Sequence, residues 1–266
     1  MSGLRKLRKY RAAFVVSLQD ALAYRSALFS SVLFYTLFLF VFHSLWSAIY
    51  KGGEVEGLTL TQIIWYLCFT ELIVMGGRTQ VYAQMSDEIK TGGIAYQLGR
   101  PYHYLWYAFS TAIGGMAFGL CVFVVLACLT GFAYVGPIPG FALWQLPPIL
   151  LSFALGMALQ FFLQMLLGLS AFWIEENFAV YLVYQKLVFM LGTFIPVEFL
   201  PGWLQVIARS LPFSYISWAP ARLAVGFDWT LFRQIVPLQI AWTGMSVLAC
   251  LAVYRLGARR LEVNGG

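Results

Sequence analysis

The chain has 266 residues, of which 61% are hydrophobic and 11% are charged, and it carries a formal net charge of +6. So few charged residues cannot coat a soluble globule of this length, because too much of its surface would have to be apolar. The composition therefore excludes a soluble protein and predicts an integral membrane protein, for which no nucleic-acid partner is expected.

The N-terminal segment, residues 4–24, is predicted to be an amphipathic helix. Basic residues crowd its beginning, while Leu7, Phe14 and Leu18 fall near one face. Such a helix is expected to lie on an anionic leaflet before the first span begins, with an ordinary basic anchor as the alternative. No short apolar core with a small-residue cleavage site follows, so no removable signal peptide is expected.

Charge-poor apolar runs divided by turn residues predict six transmembrane helices, since a bilayer core asks for about 20 apolar residues per helix. The predicted spans are residues 26–50, 57–77, 101–135, 143–174, 178–195 and 231–254. The sequence GPIPG at 136–140 divides the longest uncharged run. The expected fold is all-α, a single polytopic membrane domain over residues 1–266.

The segment between the last two predicted spans, residues 196–226, is aromatic and contains no clean span. Four prolines break it: Pro196, Pro201, Pro212 and Pro220. Because proline interrupts helices, the pattern favours short helices that dip into the outer leaflet and return. An interfacial surface loop is the alternative.

Lys and Arg are concentrated on one side of the predicted spans, which the positive-inside tendency assigns to the cytoplasm. That side holds Arg5, Lys6, Arg8, Lys9, Arg11, Arg25, Arg78, Lys90, Arg100, Arg255, Arg259 and Arg260. The other side holds Lys51, Arg209, Arg222 and Arg233. Both ends of the chain are therefore expected in the cytoplasm, in a multi-pass protein of the inner cell membrane.

Motifs for enzymatic chemistry are absent from the sequence, which contains no HExxH, no GxSxG and no GxxxxGK[ST] phosphate loop. We therefore expect neither ATPase activity nor a bound metal or cofactor in this chain. The cysteines lie in apolar runs without CxxC spacing, which is typical of packing residues. They are Cys68, Cys121, Cys128 and Cys250.

Residues 86–93 interrupt the apolar sequence with a compact polar run. Ser86 is a suitable N-cap, Asp87 and Glu88 would lie in the first turn, and Gly92 with Gly93 would end the helix. A short capped helix between two spans would act as a lever, because a push on it tilts both spans. An inert connecting loop is the alternative.

Three segments resemble type-2 ABC exporter permeases. The run DEIKTGGIAYQLGRPYHYL is similar to the cytoplasmic loop of that family, in which an acidic-Ile-Lys-x-Gly-x-Ile run leads to Leu-x-Arg-Pro. The run FIPVEFLPGWLQVIARSLPF is similar to the family's outer segment, and GARRLEVNGG to its basic C-terminus. The resemblance extends through nearly the whole chain, including the six-helix count.

The resemblance implies a permease that pairs with a second copy or a sibling permease on a separately encoded ATPase subunit, which would bind ATP and Mg²⁺. Residues 86–93 would be the coupling helix. The implied ATPase contacts are Asp87, Glu88, Ile89, Lys90, Gly93, Glu175 and Glu176. The family's cargoes range from drugs and antibiotics to lipids, so an amphipathic or hydrophobic cargo is expected.

Polar residues inside the predicted spans are candidates for a transport path. Glu71 and Lys186 would each be costly in lipid without a partner or water. One arrangement that would lower this cost is for them to face each other, in a polar path or in a static salt bridge, and the sequence leaves open whether they pair. Gln160 and Gln164 belong to a row of small and amide residues every four positions, which favours helix packing over ligand binding. Tyr181 and Tyr184 would suit an amphipathic cargo or could face lipid.

Two other classes of function compete with an exporter subunit. An ion-coupled secondary transporter would use Glu71 as its proton site. A non-transporting membrane scaffold or immunity protein would need neither Glu71 nor Lys186.

Overall fold

The computed structural model describes residues 2–23, 27–50 and 57–264. Some predictions concern residues outside these ranges. They include residue 24 of the amphipathic helix, residue 26 of the first span, Arg25 and Lys51 of the charge count, and the final Gly pair.

The described residues are helical and contain no β-strand, which confirms the all-α class. Their α-helices are α1 (Ser2–Ala23), α2 (Ala27–Tyr50), α3 (Leu60–Glu71), α4 (Val81–Lys90), α5 (Ile94–Leu98), α6 (Tyr104–Val135), α7 (Leu146–Leu169), α8 (Phe178–Val188), α9 (Gly202–Ser210), α10 (Ser214–Val225) and α11 (Trp229–Asn264). α3 and α8 continue into π-helical turns, Leu72–Gly76 and Phe189–Thr193. Short 3-10 turns lie at Leu143–Gln145, Ser170–Phe172 and Val197–Phe199.

Five segments of the described chain are long and apolar enough to cross a membrane. They are Leu28–Tyr50, Leu60–Lys90, Tyr104–Val135, Leu143–Phe172 and Trp229–Arg259. The protein is therefore a multi-pass membrane protein. The predicted span at 178–195 corresponds to a shorter apolar helix, Phe178–Thr193, so the count of six is not reached and a sixth span stays a prediction.

Local sequence signals explain several helix ends. Thr59 and Gln62 form a capping box at the start of α3, where the Gln62 backbone N–H donates to Thr59 Oγ1 over 3.3 Å. α6 ends at Gly136, whose φ of +75° is accessible to glycine without strain. The GPIPG sequence therefore forms the turn between α6 and α7.

The helix predicted at residues 86–93 begins earlier than the sequence indicates. α4 starts at Val81, so Ser86 lies inside the helix and is not its N-cap. Asp87 and Glu88 consequently lie in the last turn rather than the first. Gly92 has a φ of +76° and follows the end of the helix, as predicted.

The early start of α4 follows from its apolar spacing. Val81, Met85 and Ile89 recur every four residues and are buried in a core with Phe161, Met165 and other residues of α6, α7 and α11. Burying this stripe stabilises the helix over its whole length. The opposite face of α4 is left exposed.

One ridge of α7 forms the centre of the bundle. It consists of buried residues spaced four apart: Ser152, Gly156, Gln160, Gln164 and Gly168. Ser152 Oγ donates to Gln239 Oε1 of α11 over 2.8 Å, and Gly156 lies against the Ile216 carbonyl of α10. The predicted packing role of this row is therefore correct.

The C-terminal half of the same α7 ridge packs against α4 and the turn before it. Gln164 accepts a hydrogen bond of 2.9 Å from the Thr79 hydroxyl, and Gly168 lies against Met85 and the carbonyl of Tyr82. Glycine is needed here because a Cβ on Gly168 would stand 2.7 Å from the Met85 Cβ. α4 thus packs directly on the α7 backbone.

The segment between residues 196 and 226 folds into α9 and α10. α10 is almost wholly buried between α3, α7 and the π-helical turn of α8. Glu198, in the 3-10 turn Val197–Phe199, is bonded to α10. Its carboxylate accepts hydrogen bonds from Arg222 Nε and from Trp218 Nε1, each over 3.0 Å. α10 is therefore part of the helical core, while its depth in the bilayer stays a prediction.

The N-terminal helix α1 packs along the first half of α6. Ser17 Oγ donates to the Thr111 carbonyl over 2.8 Å, and Gly114 allows the Phe14 backbone to approach closely. This contact places α1 beside the first half of α6. Its predicted position on a leaflet stays a prediction.

We expect Gly156→Ala to lower the free energy of unfolding by about 1–3 kcal/mol, because the added Cβ would collide with the Ile216 carbonyl. Thermal unfolding in detergent measures the effect. The matched control is Gly244→Ala in α11, where a Cβ meets open space and helix propensity favours Ala by up to about 1 kcal/mol. Equal melting temperatures for the two variants would contradict the close packing of α7 and α10.

Candidate functional site

Several distant segments meet at one end of the bundle, which we call the α4 end. Lys9 Nζ of α1 donates to the Pro101 carbonyl over 3.0 Å, and the ring of Tyr254 in α11 stacks on Tyr104, with 6.0 Å between centroids. Burial, together with the positive charge of Arg255, lowers the pKa of His103 at the start of α6. Residues 9 and 254 therefore lie on the same side of the bundle as α4.

Two loops form the exposed surface of the α4 end. One comprises residues 87–96, from the last turn of α4 into α5, and the other residues 173–176, between α7 and α8. We call these residues the two-loop surface. The two loops together contain all seven residues for which the family resemblance implies ATPase contact.

In the first loop, the implied contact residues differ in exposure. Asp87, Lys90 and Gly93 are exposed, and Glu88 is half-buried, where its carboxylate accepts a hydrogen bond from the Tyr104 hydroxyl. Ile89 is buried in the core beneath α4, so its side chain supports the surface from below rather than forming part of it.

In the second loop, Glu175 and Glu176 are exposed. They stand beside Trp173 and Ile174, which are 47% and 44% exposed. An exposed Trp next to acidic side chains is typical of a protein interface, because aromatic residues anchor such contacts and charges orient them. Trp173 and Ile174 belong to no motif in the sequence that would mark them as contact residues.

Asn177 joins the second loop to α4. Its Oδ1 accepts hydrogen bonds of 3.0 Å from the Tyr82 hydroxyl and the Ser86 hydroxyl. Its Nδ2 donates to the Leu167 carbonyl over 2.9 Å and to Ser170 Oγ over 3.2 Å. The two loops are therefore adjacent in the fold, although Ser86 and Asn177, which connect them, are 91 residues apart along the chain.

A groove of about 730 Å³ runs between α1 and the start of α6, beside α4. Gln84 and Glu88 of α4 face Lys9 and Asp20 of α1 across it, and Tyr107 lies in its wall. The groove widens the exposed area of the α4 end to include α1.

The intramembrane candidates occupy two different environments. Gln160 and Gln164 are buried in the packing ridge of α7. Tyr181 stacks face to face on Tyr82 of α4 with 4.0 Å between ring centroids, and Tyr184 is buried next to it. These tyrosines therefore join α8 to α4 and to the bundle rather than facing lipid.

Glu71 and Lys186 do not pair. Glu71 is 2% exposed at the junction between α3 and its π-helical turn, and its Oε2 is buried without a hydrogen-bond partner. Lys186 is exposed on α8, and no ion pair links the two described side chains. In the described part of the chain the two side chains do not face each other, because Glu71 is held inside the bundle while Lys186 lies on its outer surface.

We expect the effects of Glu71→Gln and Lys186→Met on the free energy of unfolding to add within about 0.5 kcal/mol, since the two side chains share no contact. Thermal unfolding of both single variants and the double variant measures the coupling between them. A coupling of about 1 kcal/mol or more would show that they interact in the membrane.

Similarity to a known protein family extends over most of the chain. The profile of the family described as "ABC-2 family transporter protein" matches residues 32–265, which covers most of the chain and includes both loops of the two-loop surface. No curated protein matches the chain significantly. The match confirms the resemblance found in the sequence, and the chain belongs to the ABC-2 family of membrane transport proteins.

Proposed function

We propose that this protein is the transmembrane permease subunit of an ATP-binding cassette exporter and that a separate ATPase subunit docks on its two-loop surface. The sequence contains no phosphate loop, so ATP and Mg²⁺ would bind to the partner. ATP-driven closure of the ATPases would push this surface and tilt the helices attached to it.

The observation that carries the proposal is the composition of the two-loop surface. It combines exposed acids, Asp87, Glu175 and Glu176, with two exposed aromatic side chains, Tyr96 and Trp173. Tyr96 is 71% exposed and Trp173 is 47% exposed. Acids around aromatic anchors fit a partner that presents basic residues around an apolar pocket.

The packing below this surface supports a mechanical role. α4 lies on the α7 backbone through Gly168, and the half-buried Glu88 is tied to α6 by the Tyr104 hydroxyl. A force on α4 therefore reaches both α6 and α7 without crossing a flexible connection. The groove between α1 and α4 offers the partner a second contact area.

The remaining parts of the assembly follow from the same proposal. A second copy or a sibling permease would complete the path, and the α4 end would face the cytoplasm of an inner-membrane protein. The cargo would be amphipathic or hydrophobic, such as a drug, an antibiotic or a lipid. Tyr181 and Tyr184 are weak candidates for contact with it, because they already pack within the bundle.

Affinity purification of the tagged chain from its native cells should recover a soluble ATPase. Reversing two charges with Asp87→Lys and Glu176→Lys should reduce that recovery about tenfold or more, because like charges would then oppose a basic partner. Recovery of no ATPase by the unmodified chain would contradict the proposal.

The matched control for these substitutions is Arg233→Glu, which reverses an exposed charge at the start of α11, far from α4. It should leave recovery unchanged. Equal losses from Arg233→Glu and from the double reversal would show that reversing charge elsewhere on the chain has the same effect and that the two-loop surface is not the docking site.

The orientation is testable by labelling single cysteines in a variant whose native cysteines are replaced by alanine. A membrane-impermeant maleimide should label Asp87→Cys only in inside-out vesicles. It should label Trp203→Cys, whose native side chain is 68% exposed on α9, only in right-side-out vesicles. The reverse pattern would place the two-loop surface outside the cell and would exclude docking of a cytoplasmic ATPase.

A further inference from the structure

The side chain of Asn177 does not make the hydrogen bond that is usual for an Asn at the start of a helix. It is the residue before the first turn of α8, where an Asn side chain ordinarily accepts a hydrogen bond from the backbone of its own helix. Here it makes no such bond. The amide instead turns away from α8 toward α4 and the end of α7.

All the hydrogen-bonding capacity of this amide is satisfied by three other segments. The two hydroxyls that donate to Oδ1 belong to Tyr82 and Ser86 of α4. The two acceptors of Nδ2 are the Leu167 carbonyl of α7 and Ser170 Oγ of the turn after it. Asn177 is 1% exposed, so water is not available to replace any of these bonds.

A second contact reinforces the same connection. The rings of Tyr82 and Tyr181 stack with an interplanar angle of 2°. Tyr181 lies one turn after Asn177 on α8, and its backbone N–H donates to the Asn177 carbonyl over 3.2 Å. α4 is therefore attached to α8 both by hydrogen bonds and by aromatic packing.

We propose that Asn177 locks the two loops of the two-loop surface into one rigid body, so that a push on either loop moves α4, α7 and α8 together. This proposal rests on the proposed function, since it specifies how the docked ATPase would act on the helices. Asn177 is a positioning residue in this scheme: it need not touch the ATPase or the cargo.

Without the hydrogen bonds of the Asn177 side chain, a force on one loop would move that loop separately from the other. The loop at 173–176 would be held to α4 by the stacked tyrosines and by packing of the turn Ser170–Phe172 against α4, and the Tyr82 and Ser86 hydroxyls would lose their buried acceptor. A partner pressing on Asp87 would then move α4 relative to α8 instead of moving both.

The test measures the distance between spin labels on Ala83→Cys and Ala179→Cys, exposed residues of α4 and α8 that lie outside the two-loop surface, in a cysteine-free background. The complex is reconstituted in lipid nanodiscs, first without nucleotide and then trapped with ATP and vanadate. With Asn177 intact, the distance distribution should be narrow and should not shift between the two states. In Asn177→Ala, it should become roughly twice as wide and should shift with nucleotide.

Three further variants distinguish the loss of the Asn177 hydrogen bonds from general damage to the fold. Asn177→Asp keeps the shape but removes the Nδ2 donor, and Tyr82→Phe with Ser86→Ala removes both hydroxyl donors while keeping the aromatic stack. Each should broaden the distribution. Ser152→Ala removes a buried hydrogen bond to Gln239 elsewhere on α7 and should leave the distribution narrow.

Two results would overturn the proposal. One is a nucleotide-dependent change in the distance while Asn177 is intact. The other is a distance distribution in Asn177→Ala that is as narrow as in the parent. If Asn177→Ala does not fold, the same result in the variant with Tyr82→Phe and Ser86→Ala would overturn the proposal. If no ATPase assembles with the chain, the proposed function fails, but the nucleotide-free comparison still decides whether Asn177 joins the loops.

Discussion

The close approach of neighbouring backbones to α7 is the constraint on which the rest of the structure depends. Helices in lipid gain little from the hydrophobic effect when they associate, so van der Waals packing and hydrogen bonds must hold them together. Gly156 and Gly168 provide the packing, and Ser152 and Gln164 provide the hydrogen bonds, all from one ridge. α11, α10 and α4 are consequently arranged along a single helix.

This arrangement gives the α4 end an unusual combination of rigidity and exposure. The buried side of α4 shares a core with α6, α7 and α11, while its other side carries charges into solvent. A helix held in this way cannot move by itself without exposing apolar residues such as Met85 and Ile89. The surface most accessible to a partner is thus mechanically continuous with the bundle.

The sequence predicts the all-helical class, the family and most long helices, because charge-free runs and turn glycines are local signals. It misplaces the start of α4 because Gln80 gives no side-chain cap, whereas Ser86 followed by two acids imitates one. The true role of Ser86 is a hydrogen bond to Asn177, 91 residues away, which no local pattern reveals. The arrangement of Glu71 and Lys186 is left open by the sequence for a similar reason, because opposite charges on two helices do not establish which faces meet.

The π-helical turns in α3 and α8 affect how these helices should be compared with those of relatives. Each wider turn advances the chain by an extra residue, which rotates everything beyond it by about 100° relative to a regular α-helix. Helical wheels drawn straight through Leu72–Gly76 or Phe189–Thr193 would assign lipid-facing and inward-facing positions incorrectly on one side of the turn. An alignment with a chain that lacks one of these π-helical turns therefore needs a one-residue offset within that helix.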